Sequence, residues 1–290
     1  MVSNITVSPA SSAKKKSPAK IIGKTILYLI LIAAALFTLI PFAWMISSSL
    51  KLDREVFAFP MKWLPEVFHW DNYSQIWEKV PLVIYFRNTA IIAVIVTVIQ
   101  TLTSSLAAYA FAKLNFRGRD TLFVCYILTI AVPWQAYMVP QFIMMRMVGL
   151  YDTRWAIIIL QSFSAFGVFL MRQFYQSIPT DLCEAARIDG LSEHGIWARI
   201  MLPLSKPALA TLVIFTFVNT WNDYMGPMIY LTTDTQKTIQ VGIKRFIQEN
   251  SSQYHLIMAV SVCSLIPVVA VFLCLQKYFI EGIATSGLKG

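Results

Sequence analysis

The chain has 290 residues, 57% of them hydrophobic and 13% charged, with a formal net charge of +9. A soluble domain carries roughly 25% charged residues, so an ordinary water-soluble globule is excluded. The basic excess is not gathered into a nucleic-acid patch, because the bases lie between long uncharged runs.

Residues 1–24 are polar, rich in Ser, Lys and Ala, and read as a basic tail ahead of the first apolar run. Five runs carry no Asp, Glu, Lys or Arg: Thr25–Leu50, Asn88–Ala112, Thr121–Met145, Trp155–Met171 and Leu256–Gln276. A sixth, Ala208–Thr233, is broken only by Asp223. Crossing the hydrocarbon core takes about 20 apolar residues as helix. The pattern predicts an all-α polytopic membrane protein with six transmembrane helices. The alternation of a membrane β-barrel is absent. The start also imitates a signal peptide, with Ala33, Ala34 and Ala35 as a cleavage site. Its apolar run continues to Ile46, past the roughly 7–15 residues of a signal core, so an uncleaved span is expected.

Lys14, Lys15, Lys16, Lys20 and Lys24 precede the first span, and Lys113, Arg117 and Arg119 follow the second. Arg172, Arg187, Arg199 and Lys206 follow the fourth, and Lys277 and Lys289 the last. With a cytoplasmic N-terminus all of these lie inside, as the positive-inside bias requires. Both termini are therefore expected in the cytoplasm. Residues 51–82 then lie outside, with an aromatic cluster of Trp63, Phe68, Trp70, Tyr73 and Trp77. Such rings suit the membrane interface or a docking protein. Thr97, Thr101, Ser104 and Ala108 form a small-residue stripe fit for close helix packing. Pro133 and Pro140, with Gln135 and Gln141 nearby, place the third span in the bundle interior or beside a pathway.

Residues 178–203 are too ordered for a passive connector. Asp181 and Glu184 suit a capping box. Gly190 supplies a left-handed stop, Ser192 caps a second short helix, and Pro203 leads into the next span. The segment resembles the EAA loop of importer permeases in the ATP-binding-cassette superfamily. Glu184-Ala185-Ala186, Gly190, Ile200 and Leu202-Pro203 stand at that motif's offsets. Trp221-Asn222-Asp223-Tyr224 with Pro227, and the tail from Phe279 to Gly290, resemble the carbohydrate-uptake, maltose-importer type.

The resemblance implies a type I importer permease fold with one transmembrane domain over 25–290. It implies contact with a separate ATPase through Asp181, Glu184, Ala185, Ala186, Asp189, Gly190 and Leu191. It implies a second ATPase contact at Gly287, Lys289 and Gly290. The implied partners are a second, related permease, two copies of a cytoplasmic ATPase subunit and an extracytoplasmic solute-binding protein, with a sugar or oligosaccharide as substrate. Membrane lipid surrounds the chain. ATP and magnesium belong to the ATPase, and the setting is a bacterial-type cytoplasmic membrane.

No chemistry of the chain's own is expected. Gly282 and Gly287 have phosphate-loop spacing, but Leu288 stands where Lys is needed. His69, His194 and His255 form no metal spacing, and the four cysteines form no C-x-x-C pair. No nucleophile–base constellation appears. Asp223 has two readings: an interfacial cap near Gly226 and Pro227, or part of a solute pathway with Gln135, Asn219, Trp221, Asn222 and Tyr224. The rival to an ATP-driven importer is an ion-gradient-driven secondary transporter or channel. That class usually carries more intramembrane acids than one.

Overall fold

A computed structural model of the protein describes residues 18–247 and 253–286. In chain order the helices are α1 (Pro18–Ser48), α2 (Asp53–Val56), α3 (Asn72–Lys79), α4 (Leu82–Lys113) and α5 (Arg119–Leu128). Next come α6 (Met138–Met147), α7 (Arg154–Gln161), α8 (Ala165–Ser177), α9 (Asp181–Ile188), α10 (Glu193–Ile196) and α11 (Leu202–Leu204). The last are α12 (Lys206–Trp221), α13 (Met225–Tyr230), α14 (Ile239–Ile243) and α15 (Tyr254–Ser286). No β-strand occurs among the described residues.

Four helical stretches are long and apolar enough to cross a membrane: Ile22–Ser48, Leu82–Lys113, Arg154–Ser177 and Tyr254–Tyr278. A fifth counts if Glu193–Leu204 and Lys206–Trp221 are one span, but an 83° bend separates them. The difference from six has a physical cause in the third run, where Pro133 intervenes. Proline has no N–H and pushes the preceding residue out of the α region. Val132 is accordingly extended, at ψ 112°. The run becomes two ten-residue helices, α5 and α6, joined by short 3₁₀ turns. Pro140 sits in the first turn of α6, where a missing N–H costs little, and makes no kink.

α4 is the central element. Its 32 residues run about 48 Å at 1.5 Å per residue. It packs along α8 and α12, and α12 packs in turn on α15. One buried cluster joins α3, α4, α12 and α15 around Ile76, Tyr85, Trp221 and Leu256. A second joins α4, α8, α9 and α12 around Tyr109, Tyr175, Cys183 and Leu212. A third holds Val96, Ile157 and Tyr230 together. α1 stands apart: every residue from Ile22 to Ala43 is exposed. An apolar helix bare on all sides needs lipid or another chain around it.

The small-residue stripe packs as expected. Thr97, Ser104 and Ala108 are buried, and a Cβ added at Gly167 of α8 would lie 2.5 Å from Ser104 Oγ. Gly167→Leu should therefore force α4 and α8 apart at a cost of about 1–3 kcal/mol. A lower Tm of the detergent-solubilised protein is the expected reading. An unchanged Tm would show that this contact does not hold the two helices together.

The segment after α1 is anchored by polar groups. Asn72 Nδ2 donates to Ser49 O and Lys51 O, at 2.9 Å each. The Lys51 ammonium is buried, donates to Lys62 O at 2.6 Å and lies over the Trp44 ring at 4.1 Å. Trp63, Phe68, Trp70 and Trp77 are exposed beside it. Membrane contact and protein docking both require that exposure.

Candidate functional site

Three breaks in the apolar runs meet at one cavity. The first is the Pro133 break. The second lies between α7 and α8, where Ser164 caps α8 by accepting from Gly167 N at 3.1 Å. The third lies between α12 and α13, at Asn222–Tyr224. Trp134, Gln135, Phe163, Ser164 and Asp223 from these breaks line a cavity of about 560 Å³. Irregular backbone at membrane depth is tolerated where it is buried in protein or lines a polar cavity. Its volume falls within the roughly 300–1,000 Å³ of small-molecule sites.

Asp223 ties two walls of this cavity together. Its Oδ2 accepts from Gln161 Nε2 at 2.7 Å, and its Oδ1 accepts from Gly226 N at 3.1 Å. It is thus both a helix cap and a cavity residue, so the two sequence readings meet in one side chain. Gln100 Nε2 donates to Thr216 Oγ1 at 3.0 Å. Gln141 Oε1 accepts from Trp134 Nε1 at 2.8 Å and from Tyr230 Oη at 3.1 Å. These bonds leave the Gln141 amide nitrogen uncommitted.

Of the six predicted pathway residues, Gln135, Asn219 and Asp223 line this cavity. The other three do not. Trp221 is buried in the α12–α15 core, stacks on Phe217 at 5.5 Å and donates to Ser264 O at 3.1 Å. The i, i+4 spacing on α12 turns it toward Phe217 and away from the cavity. Asn222 donates to Val218 O at 3.0 Å, closing the end of α12, and accepts from Gln240 Nε2 at 3.2 Å. Tyr224 lies under the Lys244 ammonium, 5.5 Å from its ring centre. Gln100 and Gln161, which the sequence reading passed over, are cavity residues. The available signal was an amide side chain inside an otherwise uncharged run.

The second site is the segment 178–203. α9 is amphipathic. Cys183 and Ala186 are buried, whereas Asp181, Leu182, Glu184, Ala185, Ile188 and Asp189 face outward. Ile188 is 87% exposed, which is unusual for a large aliphatic residue on a folded surface. The predicted capping box is not formed. Asp181 is itself the first helical residue, and no side chain closes on the backbone there. Thr180 O closes that turn instead, accepting from Cys183 N at 2.8 Å and Glu184 N at 3.1 Å. The Glu184 carboxylate is left facing solvent.

Gly190 ends α9 with φ +81°. Leu191 N donates to Ala186 O at 2.9 Å and Gly190 N to Arg187 O at 3.0 Å. This pair of bonds is a Schellman stop, which needs a left-handed residue. Ser192 then caps α10, accepting from Gly195 N at 3.3 Å, as the sequence predicts. The segment Trp197–Met201 is a π turn. Such turns concentrate at functional sites.

One polar network joins this loop to the bundle. Arg187 Nε donates to Glu193 Oε1 at 2.7 Å across the Gly190 turn. Tyr109 Oη of α4 donates to Glu193 Oε2 at 2.5 Å. Trp197 Nε1 donates to Ser105 Oγ at 2.9 Å, also on α4. Lys113, at the end of α4, donates to Ile178 O at 2.5 Å. The Arg187 guanidinium, with the Tyr109 hydroxyl second, holds the Glu193 carboxyl below the usual range. A depressed carboxyl stabilises the fold above its unfolded pKa and loses that effect as pH falls through the folded value. Glu193→Gln should therefore lower Tm at pH 7. The difference from wild type should vanish below about pH 4. A difference that persisted at pH 3 would place the effect outside this ion pair.

Gly287, Lys289 and Gly290 of the predicted tail contact lie outside the described residues. Among the described residues no group of three or more His, Cys, Asp or Glu side chains is placed to hold a metal.

An all-α bundle with broken apolar segments around a polar cavity, and an ordered loop beside it, is the build of a membrane permease. A family model described as the binding-protein-dependent transport system inner membrane component matches residues 100–285, and the chain belongs to that family. It is 30% identical over 279 residues to the arabinooligosaccharides transport system permease protein AraQ of Bacillus subtilis (strain 168), covering 95% of this chain and 99% of that one. It is 35% identical over 256 residues to the melibiose/raffinose/stachyose import permease protein MelC of the same strain, covering 87% and 91%. Among solved structures it is similar to a bacterial ABC transporter involved in the import of the acidic polysaccharide alginate. That match has a TM-score of 0.78 at 28% identity and covers 92% of this chain and 100% of that chain. The fold is that of ABC importer permeases, and the family is one of transporters, not of catalysts.

Proposed function

We propose that this chain is the membrane-spanning subunit of an ATP-driven importer for a sugar or oligosaccharide. The observation that carries the reading is the two-faced α9. One face is locked into the bundle through Cys183 and Ala186, and the other presents Leu182, Glu184, Ala185 and Ile188 outward. An exposed apolar surface with acids around it suits a docked partner. On this reading the partner is a cytoplasmic ATPase, and residues 178–203 are the coupling loop of a transmembrane domain over 25–290. Asp181, Asp189, Gly190 and Leu191 complete the contact, and Glu184 meets a basic group on the ATPase. The tail at Gly287, Lys289 and Gly290 reaches the ATPase as well.

The complete importer then needs two ATPase copies, which hold ATP and magnesium. It also needs a second related permease and an extracytoplasmic solute-binding protein. The sugar relatives, and a family defined by dependence on a binding protein, support that assembly. Both termini and the basic tail of residues 1–24 lie in the cytoplasm. ATP-driven closure of the ATPases moves α9, and the Tyr109–Glu193–Arg187 network passes that movement to α4.

Affinity purification of the tagged chain from its own membranes tests this. An ATPase and a second permease should come down with it, and sugar-loaded binding protein should stimulate ATP hydrolysis in the purified complex. Sugar uptake that runs on an ion gradient, with no ATPase recovered, would replace this reading with a secondary transporter.

A further inference from the structure

The cavity wall has a definite chemistry. Its polar groups are amides and hydroxyls, with Asp223 as the one carboxylate. No Lys, Arg or His is among the residues that line it. The cations of neighbouring elements are engaged elsewhere. Arg146 lies over the rings of Phe142 and Tyr151, and Lys244 over Tyr224, three rings outside the lining. Gln135 and Asn219 make no hydrogen bond to another described residue, so their amides are free to meet a solute. Tyr137 and Phe163 present exposed ring faces to the same space.

We infer that the saccharide passing this subunit is uncharged: the amides of Gln135 and Asn219 receive its hydroxyls, Tyr137 and Phe163 cover its carbon faces, and nothing on this wall receives a carboxylate or phosphate. The inference rests on the importer reading and narrows its substrate class. An amide both donates and accepts, as a sugar hydroxyl does, so the pairing leaves no polar group unmet. An anionic sugar fares differently. Its charge would leave water without a partner cation and would face Asp223. Unpaired charges in a low-dielectric site are costly, and like charges in contact cost several kcal/mol. Rejection of that kind separates substrates more sharply than added attraction does. The alginate importer that this chain resembles handles an acidic polysaccharide, so the shared fold does not decide the point.

The test uses the complete complex in proteoliposomes with its binding protein. Neutral oligosaccharides of arabinose, galactose and glucose are compared with oligogalacturonate and alginate oligosaccharides of equal length. The expected result is ATP-driven uptake of a neutral sugar and at least about tenfold lower kcat/KM for every acidic one, the size of a single unmet charge-assisted bond. Gln135→Ala and Asn219→Ala should each lower kcat/KM for the neutral sugar about 2–10-fold, one hydrogen bond apiece. Efficient uptake of an acidic sugar overturns the inference and leaves the importer reading standing. Unchanged kcat/KM in the Gln135→Ala, Asn219→Ala double variant overturns the placement of the sugar on this wall. ATP-driven uptake of no sugar at all overturns the importer reading itself.

Discussion

Replacing Gly190 with Val is expected to abolish sugar-stimulated ATP hydrolysis and ATP-driven uptake while the complex still assembles. Gly190 holds φ +81°, in the left-handed region. A side chain there costs roughly 1–2 kcal/mol in backbone strain, and a β-branched one is the worst case. The strain is purely conformational, because a Cβ built at Gly190 meets nothing within 4 Å in this chain. It falls on the two bonds that stop α9, from Leu191 N and Gly190 N. Without that stop, Arg187 and Glu193 no longer face each other across the turn, and α9 loses its fixed direction. The buried face through Cys183 and Ala186 is untouched, so the subunit should still fold and pair. Gly190→Asn is the control, since Asn tolerates the left-handed region, and it should retain most of the coupling. Wild-type uptake in the Val variant would remove the coupling role from this turn.

Asp223→Ala is expected to reduce uptake about tenfold or more, equivalent to about 1.4 kcal/mol. The same change deletes the acceptor for Gly226 N and releases the Gln161 amide, at a stability cost of about 1–3 kcal/mol. The site has no slack for a larger neighbour: a Cβ at Gly226 would lie 2.4 Å from Asp223 Oδ2. Both carboxylate oxygens are already bonded within the chain. That makes Asp223 a positioning residue for the break between α12 and α13. Asp223→Asn keeps an acceptor for Gly226 N, and its new amide can donate to the Gln161 carbonyl. Its Tm should stay close to wild type and its uptake should largely survive. Complete loss of uptake with an unchanged Tm in the Asn variant would show that the charge itself acts on the solute.

The membrane class was legible in the sequence because it rests on long uncharged runs, and burial of charge in hydrocarbon is costly enough to leave that mark in composition. The 178–203 loop was legible for a different reason. A left-handed stop demands a glycine, and a helix start favours a Ser cap, so Gly190 and Ser192 announce local geometry wherever they fall. Asp181 and Glu184 show the limit of that logic. Their spacing suits a capping box, yet Thr180 O closes the turn and neither side chain takes part. The backbone carbonyl of Thr180 competes for the same N–H groups, and sequence spacing carries no record of which acceptor wins.

Tertiary packing decided the cavity. Asp223 was visible as the lone acid in an apolar run, but its partner Gln161 is 62 positions away in the chain. Trp221 and Asp223 are two residues apart, and the helix turns one into the core and the other toward the cavity. The Tyr109–Glu193 bond spans 84 positions and depends on how α4 leans against the loop. Local propensity fixes caps, stops and apolar runs, because each is settled among near neighbours. Which breaks converge, which amides stay free, and which face of α9 is left open are settled by helices packing from distant parts of the chain.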